Sequence, residues 1–163
     1  MPMNFRIGFG YDSHRFQEGG PLVIGGVSIP FEKGFVAHSD GDLLIHALCD
    51  ALLGAAALRD IGTHFPDNDP SLTNIDSKII LQKIVAMLSE QGWQVNNVDI
   101  TIVIQQPKMA PYIPEMTTTL AQLLQVPETS VSVKAKTNEK MDAVGRGEGA
   151  EAYAVATILR AKS

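Results

Sequence analysis

The 163-residue chain has the length of a single domain. A formal net charge of -5 argues against a nucleic-acid-binding face, and a lone cysteine, Cys49, excludes an internal disulfide or a cysteine-built zinc site. No run of about 18 apolar residues marks a membrane helix. Met1 to Arg6 lack the apolar stretch of a signal peptide, so the expected location is the cytoplasm.

In chain order, residues 5–11 read as a first strand. Residues 22–24 and 27–29 are short apolar runs around Gly25-Gly26, a pair suited to a hairpin turn. Pro30 to Val36 reads as a connector. A helix then starts near Ser39 or Asp40, either of which can cap it, and runs from Asp42 to Leu58. It is apolar nearly all round and therefore belongs in the interior. Its one polar stripe, Asp42, His46 and Asp50, stacks on one face and requires hydrogen bonds or a metal. Cys49 in the same run reads as a buried core thiol.

Residues 59–75 form a polar loop longer than ordinary connections. A second helix spans 77–91, capped by Asp76 or Ser77 and stopped by Gly92, after which Trp93 reads as a packing residue. Residues 98–105 alternate as a strand, Gln106 to Pro111 form a stiff loop, and a third helix covers 113–125. Residues 131–136 alternate as a strand, 137–149 form a glycine-rich loop, and 150–160 return as a long strand. This order predicts an α+β, two-layer sandwich, with helices on one face of a mixed sheet (ferredoxin-like or chorismate-mutase-like). The last two strands are expected to pair as a hairpin.

Asp12 and His14 lie two apart near the end of a strand, so their side chains point the same way. With His46 they make a donor set for a zinc-like divalent ion with one position open. Taken bare, an Asp-x-His pair is weak evidence, and His46 is equally readable as a satisfied core histidine. Asp50, one turn from His46, is placed to hold the ring N–H that faces away from a metal. His38 and Ser39 precede a helix whose N-terminus attracts phosphate, or Ser39 is only its cap. Lys108 sits in the stiff loop as a point charge for phosphate. Lys134 and Lys136 share a strand face that is also readable as merely exposed. Gly145 to Gly149 lacks the spacing of a nucleotide fingerprint and reads as a turn with Arg146 free for phosphate.

Several segments together are more specific. Gly10-Tyr-Asp-Ser-His-Arg-Phe16, Gly25-Gly-Val-Ser-Ile-Pro30, Ala37-His-Ser-Asp-Gly-Asp42, Asp50 to Leu58, Asp60-Ile-Gly62, Phe65-Pro-Asp67, Pro107-Lys-Met109 and Gly145-Arg-Gly-Glu-Gly149 resemble the 2-C-methyl-D-erythritol 2,4-cyclodiphosphate synthases of the non-mevalonate isoprenoid pathway. The resemblance spans almost the whole chain. It implies one synthase domain over residues 1–163, in a homotrimer with active sites between subunits. It implies metal-assisted intramolecular phosphoryl transfer, with Asp12, His14 and His46 on zinc or another divalent transition metal. Glu139 would hold magnesium or manganese with the substrate.

By the same resemblance, His38 and Thr137 are catalytic. Asp12, Ser13 and His14 belong to the substrate site, and His38 and Ser39 contact the substrate's phosphate. Asp60, Ile61, Gly62, Phe65, Pro66, Asp67, Asn68 and Asp69 surround the methylerythritol part. Ile104, Gln105, Gln106, Pro107, Lys108, Met109 and Ala110, with Lys136, Thr137, Asn138 and Glu139, hold the cytidine diphosphate from the adjoining subunit. Ala143 and Arg146 adjoin a central cavity for an isoprenoid diphosphate. The chain departs from the family pattern at Lys136 and Asn138, where threonines are common, and at Ala143, where a bulky aromatic is common. The alternatives are a zinc phosphoesterase and a non-catalytic isoprenoid-phosphate binding protein. Neither a membrane nor a nucleic acid is an expected partner.

Overall fold

The structure, a computed structural model, describes residues 4–162. Met1 to Met3, part of the segment read above as carrying no leader, lie outside them. Five strands form the main sheet: β1 (Phe5–Glu18), β4 (Lys33–Phe35), β5 (Trp93–Val103), β6 (Val131–Lys136) and β7 (Gly149–Arg160). Their spatial order is β4-β1-β7-β5-β6. All neighbours are antiparallel except β5 and β6. β2 (Leu22–Ile24) and β3 (Val27–Ile29) form a separate hairpin about Gly25-Gly26, as the sequence predicts.

The helices are α1 (Leu43–Ala55), α2 (Ile61–His64), α3 (Ser77–Glu90), α4 (Ile113–Leu124) and α5 (Asp142–Gly145). α1 packs on β1 and β7, α3 on α1 and β5, and α4 on β6. The strand face beneath them is buried through Gly8, Gly10, Ile100, Ile102 and the series Ala150, Ala152, Ala154, Ala156. The opposite face exposes Ile7, Phe9, Tyr11 and Val155. The result is a mixed sheet with helices along one face.

Small residues set the spacing between α1 and the sheet. A Cβ added at Gly10 would lie 1.8 Å from the carbonyl oxygen of Ala47, and one added at Gly8 equally close to that of Ala51. The helix backbone therefore rests directly on the strand backbone. Trp93 is buried, with the guanidinium groups of Arg6 and Arg160 within 4.8 Å and 3.9 Å of its ring centre, and Cys49 is fully buried, as expected of packing residues.

The expected hairpin of the last two strands does not form. β6 pairs only with β5, in parallel, while β7 inserts between β1 and β5. The alanine face of β7 suits a central strand pressed under α1, whereas exposed Lys134 and Lys136 suit a sheet edge. β1 is twice the expected length, continuing through polar residues to Glu18, and the expected connector at 30–36 contains β4, whose Phe35 lies opposite Phe16. Within 59–75, α2 and a short turn at Pro70–Leu72 interrupt the loop.

Candidate active site

β1 and α1 supply the centre of the site. Asp12 and His14 project from β1 toward α1, and His46 faces them from the second turn of that helix. The Asp12 Oδ2 atom lies 3.1 Å from His14 Nε2 and 3.1 Å from His46 Nδ1, and the two nitrogens are 3.4 Å apart. Ligand atoms at zinc bonding distance in tetrahedral geometry are roughly 3.3–3.6 Å apart. Two nitrogens and one carboxylate oxygen converging in this way fit such an ion. Among the described residues this is the one cluster of three or more such donors.

The electrostatics agree. Burial raises the Asp12 pKa, but hydrogen bonds and charge from His14 and His46 outweigh it and hold the carboxyl down at about 2. Burial pulls His46 down, yet the Asp12 hydrogen bond and charge push it above its ordinary value. Asp12 is thus an ionised carboxylate that favours the protonated form of His46, the arrangement in which a divalent ion replaces a proton.

The polar stripe of α1 is fully satisfied, though not as expected. Asp42 rather than Ser39 or Asp40 caps the helix. Its carboxylate accepts from the N–H groups of Gly25 (2.9 Å), Gly26 (2.7 Å) and Ile45 (3.1 Å). Burial pushes this carboxyl up to about 6 despite those three donors. Gly41, at φ +75°, turns the chain before the helix, so Ser39 cannot be its cap. A buried carboxylate therefore occupies the start of α1, where the sequence suggested a place for phosphate. Asp50 does not hold the His46 ring: it accepts from the N–H of Ile61 (2.8 Å) and so pins the start of α2. The partner of His46 Nε2 is Ser77 Oγ at 2.8 Å, with Ser39 Oγ at 3.2 Å. Nothing in the sequence pointed to Ser77, which lies 31 residues away and reads as a cap residue for α3; Asp76 is the actual cap.

The triad opens into a cleft of about 350 Å³. Its walls carry Ala37, His38 and Ser39 on one side and Ile61, Gly62, Phe65, Pro66 and Asp67 on another; Leu72, Thr73 and Ile75, also in the wall, carried no signal in the sequence. His38 is exposed at the rim, its carbonyl oxygen held by the N–H of Asn74.

The sequence matches the family model described as the YgbB family over residues 5–159. The chain belongs to the YgbB family. It is 57% identical over 154 residues to the 2-C-methyl-D-erythritol 2,4-cyclodiphosphate synthase of Azotobacter vinelandii, covering 94% of this chain and 98% of that one. It is similar at 31% identity and a TM-score of 0.86 to a solved structure described as IspF of Plasmodium falciparum in complex with CDP, with 98% of each chain covered. A TM-score of 0.92 at 38% identity relates it to the bifunctional IspDF of Campylobacter jejuni, across 96% of this chain and 42% of that longer one.

Against the positions that the YgbB resemblance assigned, the structure gathers two groups. The first is the cleft. Ser13 lies outside it, on the opposite face of β1 from Asp12 and His14, and is exposed. Asp60 and Asp69 cap α2 and the Pro70–Leu72 turn, and Asn68 is exposed between them. The second group lies where β5 and β6 end. The N–H of Ile104 bonds to the carbonyl of Lys136, and Gln105 Oε1 accepts from the N–H of Lys140. Thr137 Oγ1 accepts from the N–H of Glu139 at 3.3 Å. Glu139, Lys140 and Asp142 all have left-handed backbones, a concentration of strain typical of functional loops. Gln106, Pro107, Lys108 and Ala110 continue from β5 beside a buried Met109. Exposed Ala143 lies in α5, and the Arg146 guanidinium after it pairs with Glu148 at 3.0 Å. None of this second group lines the cleft within one chain.

Proposed function

We propose that this chain is a phosphorus–oxygen lyase. It cyclises 4-diphosphocytidyl-2-C-methyl-D-erythritol 2-phosphate to 2-C-methyl-D-erythritol 2,4-cyclodiphosphate and releases CMP. The reading is carried by the Asp12–His14–His46 triangle at the floor of the cleft, in a chain so similar to synthases of that name.

An oxygen of the 2-phosphate forms the new bond to the distal phosphorus of the diphosphate, and the bond from that phosphorus to the CMP oxygen breaks. A phosphate monoester is already ionised near neutral pH, so no strong base is required. What remains is positioning and charge neutralisation. The side chains of His38, Ser39 and Thr137 hold phosphoryl oxygens in line. Phe65 and Pro66 offer an apolar wall to the methylerythritol carbon skeleton. Zinc or another divalent transition metal on Asp12, His14 and His46 supplies Lewis-acid polarisation when bound. Magnesium or manganese, arriving with the substrate, suits the single exposed carboxylate of Glu139.

The assembly is a homotrimer of ferredoxin-like subunits. Two observations support it: the apolar sheet face of Ile7, Phe9, Tyr11 and Val155 lies bare, and the Ile104–Ala110 and Lys136–Glu139 residues lie outside their own chain's cleft. Those residues hold cytidine diphosphate for the neighbouring subunit's cleft. An isoprenoid diphosphate in the central cavity has to displace Glu148 from Arg146. Among the described residues no helix is long and apolar enough to cross a membrane, in keeping with a cytoplasmic enzyme.

Phosphorus NMR of the protein with substrate, zinc and magnesium tests the reaction. Cyclic diphosphate and CMP in equal amounts are expected. Inorganic phosphate with a linear product would establish a phosphoesterase instead, and binding without turnover a carrier of isoprenoid phosphates.

A further inference from the structure

A serine at the start of α3 is completely buried, 0% exposed, although serine ordinarily reaches water at such a place. Its hydroxyl lies between two side chains. On one side Ser77 Oγ is 2.5 Å from Asp40 Oδ1, and on the other it is 2.8 Å from His46 Nε2. Asp40 is itself fixed. Its Oδ2 accepts from the N–H of Ser77 at 2.9 Å, and its Oδ1 also accepts from the N–H of Asp42 at 3.1 Å. The carboxylate thus joins α3 to the turn that leads into α1.

The direction of these bonds follows from the groups. An ionised carboxylate only accepts, so the single hydroxyl proton of Ser77 goes to Asp40. Toward His46, Ser77 then has only lone pairs to offer. Its partner, His46 Nε2, has to be the nitrogen that carries the proton. Neutral imidazole has one N–H, so Nδ1 is left with a free lone pair. Nδ1 is the atom that lies 3.1 Å from Asp12 Oδ2 and 3.4 Å from His14 Nε2. Ser39 Oγ, at 3.2 Å from Nε2, is the more distant hydroxyl and is also 3.3 Å from the N–H of Gly41, from which it accepts.

We propose that Ser77, oriented by Asp40, is a positioning residue for the metal centre: it fixes the tautomer and ring orientation of His46 so that Nδ1 presents its lone pair to the ion. The proposal rests on the metal-centre reading above and adds to it a residue that touches neither metal nor substrate. A helix that starts 31 positions after His46 thereby becomes part of the site's construction.

The measurement is zinc affinity, by competition with a chromophoric chelator, for the native protein, Ser77→Ala, Asp40→Asn and His46→Ala. Loss of such an outer hydrogen bond typically weakens metal binding about 10–100-fold, and that loss is expected for Ser77→Ala. Asp40→Asn is expected to weaken binding as well, because an amide can donate to Ser77 and release its proton toward His46. Affinity within twofold of native in folded Ser77→Ala overturns the proposal. If His46→Ala binds zinc as the native protein does, the metal-centre reading fails first, whatever Ser77 does. A second readout needs no variant. Two-bond proton–nitrogen correlations of the zinc-loaded native protein should show His46 protonated at Nε2 alone, and protonation at Nδ1 would overturn the assignment even if every variant failed to fold.

Discussion

Replacing Gly10 by alanine should separate the two halves of the candidate metal centre. The new Cβ would sit 1.8 Å from the carbonyl oxygen of Ala47 and 2.7 Å from the N–H nitrogen of Ala51, where ordinary contact begins at 3.4 Å. Both obstacles are helix backbone, so no rotamer change relieves them. α1 has to retreat from β1 by roughly 1.5 Å, or the strand has to buckle by as much. His46 adjoins Ala47 on α1, and Asp12 and His14 ride on β1. A retreat of that size stretches the 3.1 Å separation of His46 Nδ1 and Asp12 Oδ2 to about 4.5 Å, past the span that zinc can bridge. Overpacking commonly costs about 1–3 kcal/mol, and a rigid backbone obstacle puts this case at the upper end. For a chain of this size that corresponds to a fall in Tm of about 6–12 °C. Gly54 is the control within the same helix. The nearest atom to a Cβ there is the Phe9 carbonyl oxygen at 4.0 Å, so Gly54→Ala should gain up to about 1 kcal/mol from helix propensity. Thermal unfolding followed by circular dichroism, with zinc affinity measured alongside, checks both. A Gly10→Ala protein with native Tm and native zinc affinity would refute the idea that helix–strand contact sets the triad's dimensions.

Metal binding should release a proton near neutral pH. His46 is pushed above 6.5 in the metal-free protein while Asp12, at about 2, is already ionised. Apparent zinc affinity should therefore rise with pH, the His46 proton alone contributing about tenfold per unit, until the raised His46 value is passed; calorimetry in buffers of different ionisation enthalpy counts the protons released. The same shift means that the charged His46–Asp12 pair stabilises the metal-free protein below pH 6.5 and that this contribution fades as pH rises through the elevated value. Phe9→Glu on the bare sheet face should give a folded monomer by light scattering, with turnover lost. Asp50→Ala frees the N–H of Ile61 at the start of α2 and should cost about 1–2 kcal/mol, with KM raised more than kcat is lowered.

Legibility in the sequence followed the range of the forces involved. Periodicity placed α3, α4 and the ends of β7 to within a residue or so, because each buries one face against a continuous core. β1 was cut short because Asp12 to Arg15 are polar, although the period of two persists: Asp12 and His14 turn inward while Ser13 and Arg15 turn out. The triad was readable because two of its members share that period and the third is polar in an apolar helix. The hairpin expectation for β6 and β7 failed because nearness in sequence says nothing about the strand that slips between. Ser77 and Asp40 were invisible for a related reason. Each is a common residue in a common capping position, and only the packing of α3 beside α1 turns the pair into a support for His46.

The two groups of site residues can be tested for division between chains by mixing variants. Register places both near one end of the sheet: His14 lies opposite Ala150, Glu151 opposite Val103, and the N–H of Ile104 bonds to Lys136. β7 stands between β1 and β5, so the groups are about two strand spacings, or 10 Å, apart within one chain. Only the first group lines the cleft. If one chain supplied a complete site, a mixture of inactive His46→Ala and inactive Thr137→Ala proteins, unfolded and reassembled together, would remain inactive. If each site joins the triad of one subunit to the Thr137 loop of the next, a ring of three assembled at random from equal amounts has an intact pair at about one site in four. Recovery near a quarter of native turnover is therefore the expected result. A mixture as dead as its components, in trimers shown to contain both chains, would place the whole reaction within a single subunit and leave the bare apolar sheet face without a catalytic reason.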